Sequence, residues 1–287
     1  MKSNQELSGK TILVTGATAG IGKIAATAMA EKGANVIIVG RNQQKTSDTV
    51  QQIIAATGNK DIQSLVADFS DLRQVSQLAQ QFKEKYTRLD VLINNAGAFF
   101  NTRKKTDYGV EMTFLVNHLA GFYLTNLLLD VIKQSAPSRI INVSSDAHRS
   151  GKLNFNDLEF KRFYFGMLAY ARSKLANILF TYELSRRLEG SDVTVNALHP
   201  GHIATDIWRN SFSIFGPALK WLMSKISLTP EQGADNTIYM ASSADVEGVT
   251  GKYFVKHAPV QSAPITYDIE TAQKLWTVSE NIISLYG

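Results

Sequence analysis

The chain has 287 residues and a net charge of +5, with 44% hydrophobic and 19% charged residues. This composition is ordinary for a folded globular protein, so we expect a substantial core and no disorder away from the ends. The absence of cysteine excludes disulfides, thiolate nucleophiles and cysteine metal sites.

Positive charge is dispersed along the chain and forms only short clusters, such as Arg103–Lys105. We therefore expect no nucleic-acid partner. The first ten residues are polar and lack the apolar core of a signal peptide, and no apolar run is long enough to span a membrane. These features favour a soluble, cytoplasmic protein.

Apolar runs of strand length alternate with stretches whose apolar residues recur at helical spacing. The predicted strands are Thr11–Thr15, Asn35–Val39, Ile62–Ala67, Val91–Asn94, Ile140–Val143, Val193–Leu198 and Tyr253–Val255. The first predicted helix runs from Ile21 to a stop at Gly33, and the second follows the second strand and ends near Gly58. The third begins after an Asp71 cap and ends near Tyr86. The remaining three cover Tyr108–Lys133, Leu168–Leu188 and Pro230–Ala241, the last with Thr229 as its cap.

Strand–helix alternation of this kind predicts an α/β fold, a doubly wound parallel sheet (Rossmann fold) with helices on both faces. No linker rich in proline, glycine or serine divides the chain, so we expect a single domain over residues 1–287. One segment, 207–229, breaks the rhythm because it is rich in aromatic residues such as Trp208, Phe212 and Trp221. Extra core, a dimer contact, a membrane-surface contact and a lid over an apolar substrate all remain open for it.

Three glycines lie between the first strand and the first helix, in the sequence Gly-x-x-x-Gly-x-Gly. Glycine lets a backbone turn tightly against a diphosphate, and the following helix N-terminus offers free N–H groups to it. This loop predicts a dinucleotide site, so we assign residues 9–135, approximately, to a nucleotide half and 136–287 to a catalytic and substrate half. The predicted phosphate-binding residues are Gly16, Thr18, Ala19, Gly20, Ile21 and Gly22.

The end of the second strand indicates which dinucleotide binds. NAD sites place an acidic residue there to hold the ribose hydroxyls, whereas this strand ends in Val39-Gly40-Arg41-Asn42. Arg41 is suited to bind a 2′-phosphate, although a solvated loop arginine is the alternative. We therefore predict NADP(H) as the cofactor.

Six motifs in order make the chain resemble the short-chain dehydrogenase/reductase family from Gly9 to about Phe254. They are the glycine loop after Thr15, Asn94-Asn95-Ala96-Gly97, Asn117, Asn142-Val143-Ser144-Ser145, Tyr170-x-x-x-Lys174 and Pro200-Gly201 with Thr205 after it. The gap of 25 residues from Ser145 to Tyr170, with Asn117-His118-Leu119 and Asp146-Ala147-His148, is similar to the retinol dehydrogenase-like branch. That branch mostly prefers NADP(H) and often acts on lipophilic alcohols or aldehydes.

The resemblance also implies further cofactor contacts. Asp68 is expected near the adenine, or as the cap of a local turn. Asn94 lines the adenosine side or braces the sheet, and Thr205 bonds the carboxamide or caps a short helix. The full expected set beyond the glycine loop is Arg41, Asn42, Asp68, Phe69, Asn94, Ala96, Gly97, Tyr170, Lys174, Pro200, Gly201, Ile203 and Thr205.

Four residues are expected to carry the chemistry. Tyr170 would donate the proton that a carbonyl oxygen needs as hydride arrives, and Lys174 lies on the same helix face, where its charge would lower the pKa of Tyr170. Ser145, rather than Ser144, is the serine that the resemblance assigns to positioning the substrate oxygen. Asn117 resembles the family's proton-relay residue, and a side chain bonded to backbone is its alternative.

The five histidines show no metal-ligand spacing, so no metal site is expected. We interpret His118 and His148 as structural or pocket-lining, and His202 as a residue that would face substrate. The leading hypothesis is an NADP(H)-dependent carbonyl reductase or alcohol dehydrogenase acting on a small-molecule alcohol or carbonyl. The family implies a homodimer or homotetramer. A non-catalytic NADP(H) sensor and a redox-neutral epimerase or dehydratase are the alternatives.

Overall fold

The computed structural model describes residues 6–201 and 229–285. Its strands are β1 (Thr11–Thr15), β2 (Asn35–Gly40), β3 (Ile62–Val66), β4 (Val91–Asn94), β5 (Ser138–Val143), β6 (Val193–His199), β7 (Tyr253–Val255) and β8 (Ala258–Val260). Its α-helices are α1 (Gly20–Glu31), α2 (Gln43–Thr57), α3 (Leu72–Lys85), α4 (Met112–Phe114), α5 (Ala120–Leu127), α6 (Leu129–Gln134), α7 (Gly166–Arg187), α8 (Pro230–Ser242) and α9 (Ile269–Ser284). Short turns of 3₁₀ helix cover Asp146–Ser150, Ala244–Val246 and Pro264–Tyr267.

The strands form one sheet in the order β3-β2-β1-β4-β5-β6-β7-β8. The strands from β3 to β7 pair in parallel, and β8 pairs antiparallel to β7. The strand order reverses between β1 and β4, which is where open α/β sheets bind ligands beyond the carboxyl ends of their strands. The predicted doubly wound sheet is confirmed.

The sheet is buried on both faces, so its strands are apolar on both sides. In β1, Ile12 and Val14 belong to the core beneath α1, α2 and α8, and Leu13 belongs to the core beneath α3, α5, α7 and α9. This arrangement explains why the strands read as continuous apolar runs rather than alternating ones.

Caps decide where several helices begin. Asp71 accepts a hydrogen bond from Arg73 N at the start of α3, and Thr229 forms a capping box with Gln232 before α8, so both predicted caps are present. The helix predicted from Tyr108 begins instead at Met112, because the Glu111 carboxylate caps the backbone there. A π-helical turn over Leu115–Leu119 and a break at Leu128 also divide that predicted helix.

Two elements at the end of the chain were not predicted. Strand β8 returns along β7, and α9 packs against α7 through buried residues that include Ala272, Leu275 and Trp276. The segment 207–228 and the predicted site residues Ile203 and Thr205, with His202, lie outside the described residues. Within residues 6–201 and 229–285, no helix combines the length and the apolarity that a membrane crossing requires.

Candidate active site

The glycine loop packs tightly on the loop that follows β4. A Cβ atom added to Gly16 would lie 2.8 Å from Ala96 Cα, and one added to Gly22 would lie 2.4 Å from Asn95 Nδ2. Gly16 also has a φ of +66°, a region that favours glycine. Gly16 and Gly22 therefore let two strand ends meet at the point where the sheet order reverses.

Gly20 differs from these two glycines because a Cβ atom there would meet no heavy atom within 4 Å. The N-terminus of α1 is also open: Ala19 provides no side-chain cap, and the first turn holds no acidic residue. Free N–H groups beside a bare backbone suit a diphosphate. The half-buried residues Thr18, Ala19 and Ile21 flank this position, so the predicted phosphate site fits the structure.

The end of β2 presents Arg41 to solvent, immediately after the buried Gly40. A Cβ atom at Gly40 would lie 2.4 Å from both Thr18 Cγ2 and Thr46 Oγ1, so those side chains fill the space that a larger residue would need. Asn42 caps α2, since its side chain accepts a hydrogen bond from Lys45 N over 2.8 Å. A cofactor contact for Asn42 stays a prediction.

The predicted adenine-side residues have clear local contacts. Asp68 Oδ1 accepts hydrogen bonds from the backbone N–H and the hydroxyl of Ser70, so the turn-capping alternative is what the structure displays. The side chain of Phe69 is buried in the hydrophobic core. Adenine contacts by these two residues therefore stay predictions, and only the backbone of Phe69 is available for one.

Asn94 braces the sheet, which is one of the two roles that the sequence leaves open for it. Its Nδ2 donates to Thr125 Oγ1 and to Asn142 Oδ1, and Asn142 Nδ2 donates to Thr181 Oγ1, each over 2.9 Å. These four side chains link α5, β4, β5 and α7. Among the described residues the Asn94 Oδ1 atom is buried without a hydrogen-bond partner.

Asn95 is a residue whose role sequence reasoning missed. Its Nδ2 donates to the carbonyls of Thr15 and Gly16 over 2.9 and 3.2 Å, and its backbone N–H donates to Thr15 Oγ1 over 3.0 Å. Ala96 N also donates to Thr15 Oγ1. Asn95 thus fixes the glycine loop against the β4 loop, and its position within a recognised motif was the available signal.

The two serines after β5 point in different directions. Ser144 is buried, and its hydroxyl donates to the backbone carbonyl of Lys174 over 2.8 Å. Ser145 is half-buried and accepts a hydrogen bond from Ala147 N over 3.2 Å, and its hydroxyl lies near enough to Tyr170 to favour a lower pKa of that phenol. This geometry supports the choice of Ser145.

Tyr170 and Lys174 lie on one face of α7, both buried. The Lys174 ammonium donates to Val143 O over 2.9 Å and lies 5.5 Å from the centre of the Tyr170 ring. The net pKa of Tyr170 is raised, where the sequence predicts that it is lowered. Burial raises it to about 12 and outweighs the opposite effect of the nearby Ser145 hydroxyl.

Burial also sets the ionisation of Lys174, lowering the pKa of its ammonium to about 8. Below that pH the site holds a buried cation beside a protonated phenol. A Cβ atom on Gly97 would lie 3.7 Å from Lys174 Nζ and 3.5 Å from Asn117 Oδ1, so Gly97 keeps the space in front of both groups free of side chain. That space suits a nicotinamide ribose, which agrees with the predicted contacts of Gly97 and Lys174.

Asn117 occupies the π-helical turn Leu115–Leu119. Its amide donates to Ala98 O and Ser173 Oγ over 3.0 Å each, and its Oδ1 accepts from Ala98 N over 2.6 Å. The structure therefore displays the alternative in which the Asn117 side chain is bonded to backbone, and the backbone is that of Ala98 in the loop after β4. π-Helical turns occur frequently at functional sites, and this one points Asn117 to the loop after β4.

The carboxyl edge of the sheet collects most of the predicted residues. Pro200 and Gly201 follow β6 there, both half-buried, with a φ of +93° at Gly201. Across the described residues, no cluster of three or more His, Asp or Glu side chains is placed to hold a metal ion. The site consists of hydroxyl, amide and ammonium groups rather than metal ligands.

Arg172 lies between Tyr170 and Lys174 and was not singled out from the sequence. Its guanidinium donates to the carbonyls of Lys152 and Asp157 over 3.1 and 2.8 Å and stacks 3.6 Å from the ring centre of Phe160. It thereby fixes the segment between Lys152 and Phe160 to the catalytic helix.

Comparison with known proteins agrees with this site. A family model for short chain dehydrogenases matches residues 10–213. Mouse retinol dehydrogenase 14 is 42% identical over 291 residues, with 97% of this chain and 87% of that protein covered. Human retinol dehydrogenase 13 is 42% identical over 292 residues, with 99% and 87% covered.

A solved structure, the Pseudomonas aeruginosa RhlG/NADP active-site complex, superposes with a TM-score of 0.72 at 28% identity, covering 88% of this chain and 97% of that chain. The family match spans most of the chain, and the two relatives align with nearly all of it. The chain therefore belongs to the short-chain dehydrogenase/reductase family, in its retinol dehydrogenase-like branch, and is an oxidoreductase that acts on CH–OH groups.

Proposed function

We propose that the chain is an NADP(H)-dependent oxidoreductase that interconverts a lipophilic alcohol and the corresponding aldehyde or ketone. The observation that carries the proposal is the grouping of the Ser145 and Tyr170 hydroxyls next to the buried ammonium of Lys174, which lies 5.5 Å from the centre of the Tyr170 ring. Two hydroxyl groups beside a cation are what a carbonyl oxygen needs while it gains negative charge.

The residues have distinct tasks in the reducing direction. Bound NADPH supplies the hydride that adds to the carbonyl carbon. Tyr170 is protonated throughout the neutral range, because burial raises its pKa to about 12, and it donates its proton to the carbonyl oxygen. Ser145 donates a hydrogen bond to the same oxygen and orients it. In the oxidising direction Tyr170 accepts the proton instead.

Lys174 and Asn117 support the two hydroxyl groups. The Lys174 ammonium would hold the nicotinamide ribose and would stabilise the Tyr170 phenolate as it forms, since both side chains share one helix face. Asn117 holds the loop at Ala98 with two hydrogen bonds and donates a third to Ser173, so the adjacent Gly97 would be available to the cofactor.

The preference for NADP(H) rests on charge and space at the end of β2. Arg41 is exposed there, with no acidic neighbour in the strand end to repel a 2′-phosphate. Thr18 and Thr46 fill the space that an acidic side chain at Gly40 would require. The similar Pseudomonas aeruginosa protein was solved as an NADP complex.

The preference for a lipophilic substrate rests on the surface beside Tyr170. Phe99 packs 6.0 Å from the Tyr170 ring, centre to centre. Two to seven residues before Tyr170, at the start of α7 and just ahead of it, large apolar side chains are exposed to solvent. Retinol, which names the two mammalian relatives, is an apolar alcohol. These exposed side chains are Phe163, Phe165, Met167 and Leu168.

The test is a homologous series of unbranched aldehydes, from short to long, with NADPH or NADH as reductant. We expect NADPH oxidation to match alcohol formation, and kcat/KM to rise about fourfold per methylene until the apolar surface is filled, since each buried CH₂ contributes ~0.8 kcal/mol. A flat series contradicts the lipophilic substrate, and equal use of NADH contradicts the cofactor assignment.

Tyr170→Phe is the control for the chemistry, because it keeps the ring and removes the proton donor. We expect it to bind NADPH as the unaltered chain does and to lose turnover. Tight NADPH binding by the unaltered chain without turnover of any aldehyde, ketone or alcohol would favour a sensor. Substrate conversion without net NADPH consumption would favour an epimerase or dehydratase.

A further inference from the structure

His148 is a buried histidine that the proposed reaction does not use. It lies three residues after Ser145. Its side chain is 0% exposed, and both of its ring nitrogens have backbone partners. Nδ1 lies 2.8 Å from Ser145 O, and Nε2 lies 3.0 Å from Ala263 N. The imidazole thus spans the space between the serine turn and the start of a C-terminal 3₁₀ turn.

These partners fix the tautomer of His148. A backbone N–H can only donate, so Nε2 must accept from Ala263, and the single proton of the neutral ring lies on Nδ1. Nδ1 then donates to Ser145 O, which also accepts from His148 N over 3.1 Å. Both lone pairs of the Ser145 carbonyl are engaged by one residue, which holds the turn that presents the serine hydroxyl.

The other end of this bridge is itself firmly held. The Thr266 hydroxyl donates to Ala263 O over 2.6 Å and lies 2.6 Å from Ser262 Oγ. Ser262 Oγ in turn lies 2.8 Å from the hydroxyl of Tyr182, which belongs to the catalytic helix α7. The anchor at Ala263 is therefore fixed relative to the helix that carries Tyr170.

The surroundings keep the ring neutral. Burial lowers the pKa of His148, and the nearby charges of Asp146 and Arg149 act on it in opposite directions while pairing with each other over 2.7 Å. The Tyr253 ring from β7 packs edge-on against the imidazole, with centres 4.9 Å apart. Protonation at Nε2 would set two donors against each other, so the bridge requires the neutral form.

We infer that His148 is a positioning residue, which ties the Ser145 turn to the C-terminal segment and thereby holds the Ser145 hydroxyl against Tyr170. The inference rests on the proposed function. It assigns His148 no contact with substrate or cofactor, and it makes residues 262–266, which follow the parallel part of the sheet, a support of the active site.

The test compares His148→Leu with His148→Asn. Leucine fills the space but removes both hydrogen bonds, so we expect kcat to fall about ten- to a hundredfold while the Kd for NADPH is unchanged. Asparagine places an amide donor near the position of Nδ1, so we expect it to recover much of the lost kcat. Tyr253→Phe is the matched control, because its hydroxyl has no hydrogen-bond partner among the described residues and its ring packing on His148 is kept.

Thermal midpoints of all three variants separate positioning from folding. Wild-type kcat in His148→Leu, or no recovery in a folded His148→Asn, overturns the inference while the proposed reaction stands. If the unaltered chain turns over no substrate, the proposed function fails first. In that case ¹⁵N NMR of the histidine ring still decides: a neutral Nδ1–H tautomer supports the bridge, and an Nε2–H tautomer or a charged ring at neutral pH overturns it.

Discussion

The hydroxyl of Ser144 donates a hydrogen bond to the backbone carbonyl of Lys174 over 2.8 Å, across the junction of β5 and α7. The hydroxyl of Ser145, one residue later, instead accepts from Ala147 N over 3.2 Å and lies on the side of Tyr170. Adjacent hydroxyl groups thus have separate tasks: Ser144 attaches the catalytic helix to the sheet, and Ser145 faces the site.

This division predicts different results for two alanine variants. Ser145→Ala should lower kcat by about 10²–10³, as the loss of a hydrogen bond to a developing oxyanion does, with thermal stability unchanged. Ser144→Ala should lower stability by about 1 kcal/mol and change kcat much less. Steady-state kinetics and thermal unfolding of both variants check this, and the reverse pattern would show that the two serines have been assigned wrongly.

The buried ammonium of Lys174 predicts a pH limit for reduction. Its pKa is lowered to about 8 by burial, whereas Tyr170 keeps its proton to about pH 12. The reduction rate should therefore be level below pH 8 and fall as pH rises through 8, when Lys174 loses its charge. A pH profile of kcat/KM with saturating NADPH tests this, and a level profile up to the pH of unfolding would exclude Lys174 as the titrating group.

His118 predicts a loss of stability in acid. It is buried between Asn177 Oδ1 and Ser279 Oγ, 3.3 Å from each, and burial lowers its pKa to about 4 from 6.5. The unfolded chain binds this proton more readily, so the stabilisation is complete above pH 6.5 and is lost as pH falls to 4. Its size is about 3 kcal/mol at 1.36 kcal/mol for each unit of pKa.

Chemical denaturation at several pH values measures this effect. We expect His118→Asn, which cannot titrate, to unfold with a shallower pH dependence between 4 and 6.5 than the unaltered chain. Parallel curves for the two proteins would assign the acid sensitivity to other groups.

Arg41 predicts the cofactor preference. Arg41→Ala should weaken NADPH binding about ten- to a hundredfold, the equivalent of a charged hydrogen bond, and leave NADH binding nearly unchanged. Lys60→Ala is the matched control, since it also removes an exposed cation. Lys60 precedes the amino end of β3, whereas Arg41 follows the carboxyl end of β2. Titration calorimetry with both cofactors tests this. Equal losses of affinity for NADPH and NADH would show that Arg41 does not bind the 2′-phosphate.

Much of the fold follows from local patterns in the sequence. The apolar runs around Ile12, Ile37 and Ile93 are short and buried on both faces, which is what a parallel sheet requires. The C-terminal helix also has a signal in the sequence, because its buried residues Ala272, Leu275 and Trp276 recur at helical spacing. It lies beyond the last of the family motifs.

The sequence predicts the site only where the spacing of two residues along the chain determines their relative position in space. Tyr170 and Lys174, four residues apart on a helix, had to share a face. The partners of Asn95 and His148 are set by residues about 80 and 115 positions away, so no local pattern reveals them. The raised pKa of Tyr170 has a related origin, because it comes from burial by distant parts of the chain, which local spacing does not show.

The bond between Ala263 and His148 closes 115 residues of chain. Contacts of such long range form slowly, because the entropy of loop closure must be overcome before the contact contributes. The glycine loop depends on shorter separations, such as the 80 residues between Thr15 and Asn95. The turn that carries Ser145 is therefore held in full only when the segment around Ala263 is docked against it.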